Sequence, residues 1–106
     1  MKKLTVVLMG MLVLSLPLAA ADAAAGKAVY DKACKSCHGP EGAGNPGVAK
    51  MMKVEMKHLG SKEVQAKSDD DLQADVTKGV GKMKPIATVS GDQVAAVVAF
   101  MRTLKQ

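Results

Sequence analysis

The sequence predicts an all-α fold, and three observations carry that prediction. No stretch of the 106 residues alternates apolar and polar side chains as a β-strand does. Apolar residues recur with helical spacing from Val94 to Leu104, which is typical of one buried helix face. Helix N-cap signals occur at Ser68 and in a capping box from Ser90 to Gln93. Together these features predict three main helices and one short one.

The chain after residue 23 is poor in large apolar side chains. It contains ten Val, three Leu, one Ile and one Phe, which is 15 of 83 residues. Ordering each residue costs roughly 1.5 kcal/mol, and burial of this small inventory can hardly offset that cost. We therefore expect a disulfide, a metal or a large cofactor to stabilise the fold.

Residues 1–23 have the three parts of a secretory signal peptide. A pair of lysines forms the basic start, residues 4–18 are a mostly apolar run, and small residues follow. The run is shorter than the ~20 residues that a membrane-spanning helix needs, although an uncleaved anchor remains the alternative. We expect cleavage after Ala21 or Ala23, which leaves 24–106 as the mature domain.

An export signal places the mature chain in an oxidising compartment, the periplasm. Without the signal peptide, 13 basic and 9 acidic residues remain, a net charge of +4. Two free cysteines would normally pair in such a compartment unless another group claims them.

The mature chain alternates helix and loop signals. Helical character is expected over 25–36, with Asp22 as a possible cap, and a short helix over 48–57. A further helix follows Ser68, where acidic residues in the first turn suit the helix dipole, and ends at Gly79. Segments rich in glycine and proline are expected to be loops, at 39–47 and 80–85.

The chemistry is concentrated in one motif, Cys-Lys-Ser-Cys-His, at residues 34–38. This is C-x-x-C-H, the attachment motif of c-type haem. On a helix Cys34 and Cys37 lie on one face, so both sulfurs can reach the vinyl groups along one porphyrin edge. His38 then turns its imidazole under the iron. Covalently bound haem would also supply the apolar mass that the composition lacks.

Three alternatives to haem remain open. A disulfide between Cys34 and Cys37 would close a very small loop and gain little entropy. A thioredoxin-like redox pair needs a βαβ context, and no strand is predicted before Cys34. Zinc held by this motif with His58 would need the adjacent Cys37 and His38 to share one tetrahedron.

Haem iron takes a second axial ligand, and a methionine in that position raises the reduction potential. The candidates in the mature chain are Met51, Met52, Met56, Met83, Met101 and His58. Met101 lies on the apolar stripe and is expected in the core, and the three methionines at 51–56 are expected beside the haem pocket. Met83 is the predicted ligand because its glycine-flanked loop can bend over the far face of the haem. His58 is the runner-up, and its ligation would lower the potential.

Four features follow one another along the chain: Gly26 with Tyr30, residues 34–38, residues 81–85, and Phe100 with Arg102 and Leu104. In this order they resemble four features of small bacterial class I cytochromes c. Those are a helix contact pair, the haem motif, a methionine loop of the type Gly-x-Met-Pro, and a closing helix whose aromatic packs against the first helix.

The resemblance implies a few helices around one covalently bound haem c, with a crossed pair of terminal helices. Two departures from the family pattern are present. Lys84 stands between Met83 and Pro85, where the family has proline directly after methionine. The family also has a proline whose carbonyl accepts a hydrogen bond from the proximal histidine, and here either Pro46 or Pro40 would take that part.

The predicted function is a periplasmic mono-haem electron carrier that cycles between Fe(II) and Fe(III), with His38 and Met83 as axial ligands. We do not predict an enzyme, because both axial positions are filled and the sequence lacks paired carboxylates, a nucleophile–base pair and a phosphate loop. The alternative is a haem sensor or peroxidase-like protein with a labile sixth ligand, or with His58 in that position. A zinc or disulfide binding module without haem is the third possibility.

Lysines crowd the segments expected to border the exposed haem edge. They are Lys35, Lys50, Lys53, Lys57, Lys82 and Lys84. Such a basic rim would steer encounter with acidic redox partner proteins. The alternative is a solvated lysine surface without directional meaning. Neither nucleic acid nor stable membrane insertion after signal cleavage is expected.

Overall fold

The computed structural model describes residue 10 and residues 18–106. Most of the predicted signal peptide at 1–23 lies outside the described residues, so the domain boundaries stay a prediction. Of the described helices, none is both long and apolar enough to cross a membrane.

Helices, without any strand, make up the regular structure of the described residues. They are α1 (Leu18–Ala33), α2 (Lys35–His38), α3 (Pro46–Met52), α4 (Lys62–Gln65), α5 (Asp69–Lys78) and α6 (Asp92–Thr103). The all-α prediction is confirmed, with α1, α5 and α6 as the three main helices. Three short helices are found where one was predicted, because α2 in the C-x-x-C-H motif and α4 add to the predicted short helix, α3.

The last helix, α6, is the centre of the core. Its buried residues are Val94, Ala96, Val97, Val98, Phe100 and Met101. α6 packs against α1, where Tyr30 is fully buried and its ring centroid lies 4.9 Å from that of Phe100. Gly26 permits this close approach, because a Cβ atom there would lie 1.9 Å from the carbonyl oxygen of Ala96. The contact between the closing aromatic and the first helix, which the resemblance implied, is therefore confirmed.

Arg102 joins the end of α6 to the chain between α4 and α5. Its guanidinium donates to the carbonyl oxygens of Gln65, at 2.9 Å, and Lys67, at 2.7 Å. It also forms an ion pair with Asp69 at 2.8 Å. The planar guanidinium can serve several acceptors at once, so one side chain holds three segments together.

The predicted boundaries of α5 are confirmed. The Ser68 side chain accepts a hydrogen bond from the N–H of Asp71 at 3.1 Å, and Gly79 ends the helix with φ +78°. The predicted capping box before α6 is wrong. Gly91 is the N-cap residue, and its positive φ lets backbone carbonyls replace the capping side chain.

Two other boundaries differ from the prediction. α1 begins at Leu18, so Asp22 lies inside the helix rather than capping it. The run of alanines explains the extension, because alanine is the strongest helix former. α3 covers Pro46–Met52 and stops short of residue 57, since Lys53 adopts the left-handed conformation with φ 55°.

Candidate haem site

The C-x-x-C-H motif lies directly after α1. Cys34 still donates its N–H to the carbonyl of Tyr30 at 2.9 Å, and the chain then starts α2. The N–H of His38 donates to the carbonyl of Cys34, also at 2.9 Å. Both cysteines and the histidine are therefore brought together within about one helical turn. The two thiols are free, with Cys34 buried and Cys37 exposed.

The surroundings tune the protonation of this motif. Burial raises the pKa of the Cys34 thiol, and the neighbouring Cys37 adds to the shift. Burial lowers the pKa of the His38 imidazole. The ring is thus neutral at physiological pH, and neutral imidazole is the form that binds a metal.

His38 has a buried ring nitrogen, Nδ1, without a hydrogen-bond partner in the described part of the chain. The expectation that the carbonyl of Pro46 or Pro40 accepts from this ring is therefore wrong. The loop bonds instead to the α2 backbone, since the N–H of Gly44 donates to the carbonyl of His38 at 2.7 Å. Unpartnered buried nitrogens are rare and costly, so this imidazole, beside two free thiols, fits the donor set of a c-type haem.

Asn45 connects the motif to α3. Its Nδ2 donates to the carbonyl of Ser36 at 3.1 Å, and its Oδ1 accepts from the N–H groups of Gly47 and Val48. Sequence reasoning missed this residue. The signal was present, because asparagine followed by proline is a typical N-cap and first helical residue.

Met83 lies in a tight turn between α5 and α6. Val80 and Met83 exchange two backbone hydrogen bonds, of 3.0 and 2.9 Å. Gly81, inside the turn, has φ +56°, which glycine adopts without strain. Met83 itself is half-buried and stands on a different segment from His38.

The other candidate ligands occupy varied positions. Met101 is buried in the core, as predicted. Met51 is 76% exposed, whereas Met52 and Met56 are half-buried. His58 accepts a hydrogen bond at Nδ1 from the N–H of Gly60, at 2.9 Å.

The arrangement of these side chains does not favour a zinc site. Within residues 18–106, no group of three or more His, Cys, Asp and Glu side chains is placed to hold a metal ion. The zinc alternative needs His58 beside the motif residues, and the structure does not bring that set together.

A helical domain that presents C-x-x-C-H at the end of its first helix has the architecture of a small mono-haem cytochrome c. The model of one protein family, described as cytochrome c oxidase, cbb3-type, subunit III, matches residues 21–101. The chain belongs to this family of c-type cytochrome domains. Its cofactor is covalently bound haem c with its iron, and its role is in electron transport.

A solved structure is similar over most of this chain. It is described as KustC0563 c-type cytochrome, with a TM-score of 0.65 and 25% sequence identity. The similarity covers 76% of this chain and 98% of the other. Among curated proteins, none is significantly similar in sequence to this chain.

Proposed function

We propose that this protein is a periplasmic electron carrier with one haem, held covalently by Cys34 and Cys37 and ligated by His38 and Met83. The observation that carries the proposal is the motif geometry. One helical turn holds two free thiols and a buried, unpartnered imidazole nitrogen. Family membership and the similar c-type cytochrome support the haem and the electron-carrier role.

The residues have separate parts in this proposal. Haem supplies one-electron chemistry when bound. The cysteines fix its edge to α2, while burial keeps the His38 imidazole neutral and ready to ligate. A thioether from Met83 raises the reduction potential. With both axial positions filled, iron lacks an open site for a substrate, which supports a carrier rather than an enzyme.

A hydrogen bond to His58 favours Met83 over His58 as the second iron ligand. The N–H of Gly60 donates to Nδ1 of His58, so a neutral ring carries its proton on Nε2. Neither nitrogen then offers a free lone pair. Ligation by His58 would first have to break this bond and move the proton.

Export to the periplasm is proposed from the signal-peptide pattern of residues 1–23, and the burial of α1 agrees with cleavage there. From residue 22 onwards in α1, Asp22, Ala24 and Ala25 are exposed, Ala23 is half-buried, and Gly26 is the first buried residue. Cleavage after Ala21 or Ala23 would therefore keep the buried residues Gly26 and Tyr30 in the mature domain. N-terminal sequencing of the protein from a periplasmic fraction tests both sites.

The partner proposed is an acidic redox protein. Two of the six lysines of the expected rim are engaged: Lys57 pairs with Glu63, and Lys82 donates to a backbone carbonyl. The other four are exposed and make no ion pair with the described residues: Lys35, Lys50, Lys53 and Lys84. Of these four, Lys35 lies within the motif and Lys84 directly follows Met83, so each carries a positive charge on a segment that is proposed to hold the haem.

Covalent attachment is tested by intact mass. Protein from a host that matures c-type cytochromes should exceed the mass of the cleaved chain by one haem. The double variant Cys34→Ala/Cys37→Ala should lose the haem and be largely unfolded. A well-folded wild-type chain without haem would overturn the proposal.

Axial ligation is tested by alanine variants of the candidates. Met83→Ala should abolish the low-spin, methionine-ligated ferric spectrum and lower the reduction potential. Met51→Ala, Met52→Ala and Met56→Ala are matched controls and should keep both. If His58→Ala changes the spin state and Met83→Ala does not, the ligand pair is His38 with His58.

A further inference from the structure

The loop that carries Met83 is closed at its base. The N–H of Ile86 donates to the carbonyl of Val76 at 2.9 Å, so the chain returns to the end of α5. Gly79 packs tightly against the backbone of Met83, because a Cβ at position 79 would lie 2.5 Å from the carbonyl oxygen of Met83. Within the loop, Val80 and Met83 are paired. Hydrogen bonds and close packing therefore hold the turn together and join its base to the end of α5.

The tip of this loop is held by one lysine. Nζ of Lys82 donates to the backbone carbonyl of Met52 at 2.8 Å. Across the described chain, this is the one hydrogen bond that joins residues 80–84 to another segment. The position of the turn relative to α3 therefore depends on this one hydrogen bond.

Met52 is a favourable acceptor for a cation. It is the last residue of α3, whose final carbonyls lack helical partners. The carbonyl of Lys50 accepts from the N–H of Lys53 and that of Ala49 from the N–H of Val54, whereas the carbonyl of Met52 accepts from Lys82. The negative end of the helix dipole adds to the attraction.

The other end of α3 is bonded to the haem motif. Asn45 caps α3 with its Oδ1 and donates from its Nδ2 to Ser36, inside the motif. A continuous path thus runs from the motif through Asn45 and α3 to Lys82, the neighbour of Met83. The short helix α3 spaces the two segments that carry the proposed axial ligands.

We propose that Lys82 is a positioning residue, which ties the Met83 turn to α3 and so keeps the methionine at its ligating distance. This inference rests on the proposed ligation by Met83. Loss of the Lys82 bond frees the tip of the loop and raises the fraction of molecules in which the methionine is detached. A competing ligand reports that fraction, because its apparent affinity scales with the population it can bind.

The experiment measures binding of imidazole to the ferric holoprotein. Lys82→Ala should bind imidazole about 3- to 10-fold more tightly than wild type, the range that corresponds to one lost hydrogen bond. Lys84→Ala is the matched control, since it removes the same charge from the other side of Met83, and it should bind as wild type does. Lys82→Arg retains a hydrogen-bond donor, so its imidazole affinity should be close to that of wild type.

The outcomes separate this inference from the ligand assignment. Equal imidazole affinities for Lys82→Ala and Lys84→Ala would overturn the positioning role, even if Met83→Ala loses the low-spin spectrum. If Met83→Ala keeps that spectrum, ligation by Met83 fails and the positioning role fails with it. Thermal unfolding of Lys82→Ala and Lys84→Ala should differ little, so that a general loss of stability is distinguished from loop release.

Discussion

The hydroxyl of Tyr30 donates a hydrogen bond of 2.6 Å to the carbonyl of Gly39, the residue directly after His38. The same side chain packs its ring against Phe100 in α6. One residue thus links the packed pair of terminal helices to the end of the haem motif. The chain needs glycine at position 39, where φ is +78°, to turn its carbonyl towards Tyr30.

Replacement of Tyr30 by phenylalanine tests that hydrogen bond. Tyr30→Phe keeps the ring contact with Phe100 but leaves the Gly39 carbonyl without this donor. We expect the free energy of unfolding of the holoprotein to fall by about 0.5–1.5 kcal/mol, measured by urea denaturation. Tyr30→Leu, which also loses the ring contact, should cost more. An unchanged free energy of unfolding in Tyr30→Phe would show that the hydroxyl contributes nothing, and equal losses in the two variants would show that the ring contact adds nothing.

Stability should also fall at high pH because of Tyr30. Burial raises the pKa of Tyr30 to about 12, whereas an unfolded tyrosine ionises near 10. The unfolded state therefore loses its proton first as the pH rises. The stabilisation is complete below pH ~10 and is lost as the pH rises through about 12. Urea titrations between these limits should show a shallower loss for Tyr30→Phe than for wild type.

Gly26 should not tolerate a side chain. In Gly26→Ala the new Cβ would lie 1.9 Å from the backbone oxygen of Ala96, so α1 and α6 would have to separate. We expect a loss of about 3 kcal/mol, the upper end of the usual cost of overpacking. Gly47→Ala is the control, because its Cβ would meet its nearest neighbour at 3.4 Å. Comparable melting temperatures for both variants would contradict the close packing of the two helices.

Arg102 should contribute to stability through backbone carbonyls more than through its ion pair. Arg102→Lys cannot keep the fork that serves Gln65 and Lys67, and we expect a loss of about 1–3 kcal/mol. Asp69→Asn removes the exposed charge that pairs with Arg102 and that favours the start of α5, and it should cost at most about 1 kcal/mol. The denaturant midpoints of the two variants show which contribution is larger. A larger loss of stability for Asp69→Asn would show that the ion pair matters more than the backbone hydrogen bonds.

Electron transfer to an acidic partner should slow as ionic strength rises. The Debye length falls from about 10 Å at 0.1 M salt to about 3 Å at 1 M, which screens charge steering. Lys84→Glu should slow the bimolecular rate at low salt and change it little at high salt, as measured by stopped flow. Lys82 is unsuitable for this test, because its ammonium group is bonded to Met52. A rate that rises with salt would indicate a basic partner.

Local sequence signals were sufficient for much of the fold. The stripe on α6 and the Ser68 cap follow from side-chain spacing and local hydrogen bonding, and both are confirmed. The predicted capping box at Ser90 is wrong because the first N–H groups of α6 donate to backbone carbonyls and not to the Ser90 side chain. That arrangement depends on the positive φ of Gly91. The spacing of apolar residues also placed the start of α1 too late, because it does not register the run of alanines that extends the helix.

Contacts between distant segments could not be predicted in the same way. The Lys82 bond to Met52 joins residues 30 positions apart, and neither residue type signals it. The unpartnered nitrogen of His38 likewise depends on how the loop after the motif folds back. The motif itself was readable because its chemistry is confined to five consecutive residues.

The central claim is a haem on the 34–38 motif with His38 and Met83 as ligands, and a potentiometric titration followed by optical spectra tests it most directly. We expect a single reversible one-electron transition, with low-spin spectra in both oxidation states and the methionine-to-iron band in the ferric form. A colourless protein, or a high-spin ferric spectrum with an open axial position, would contradict the account.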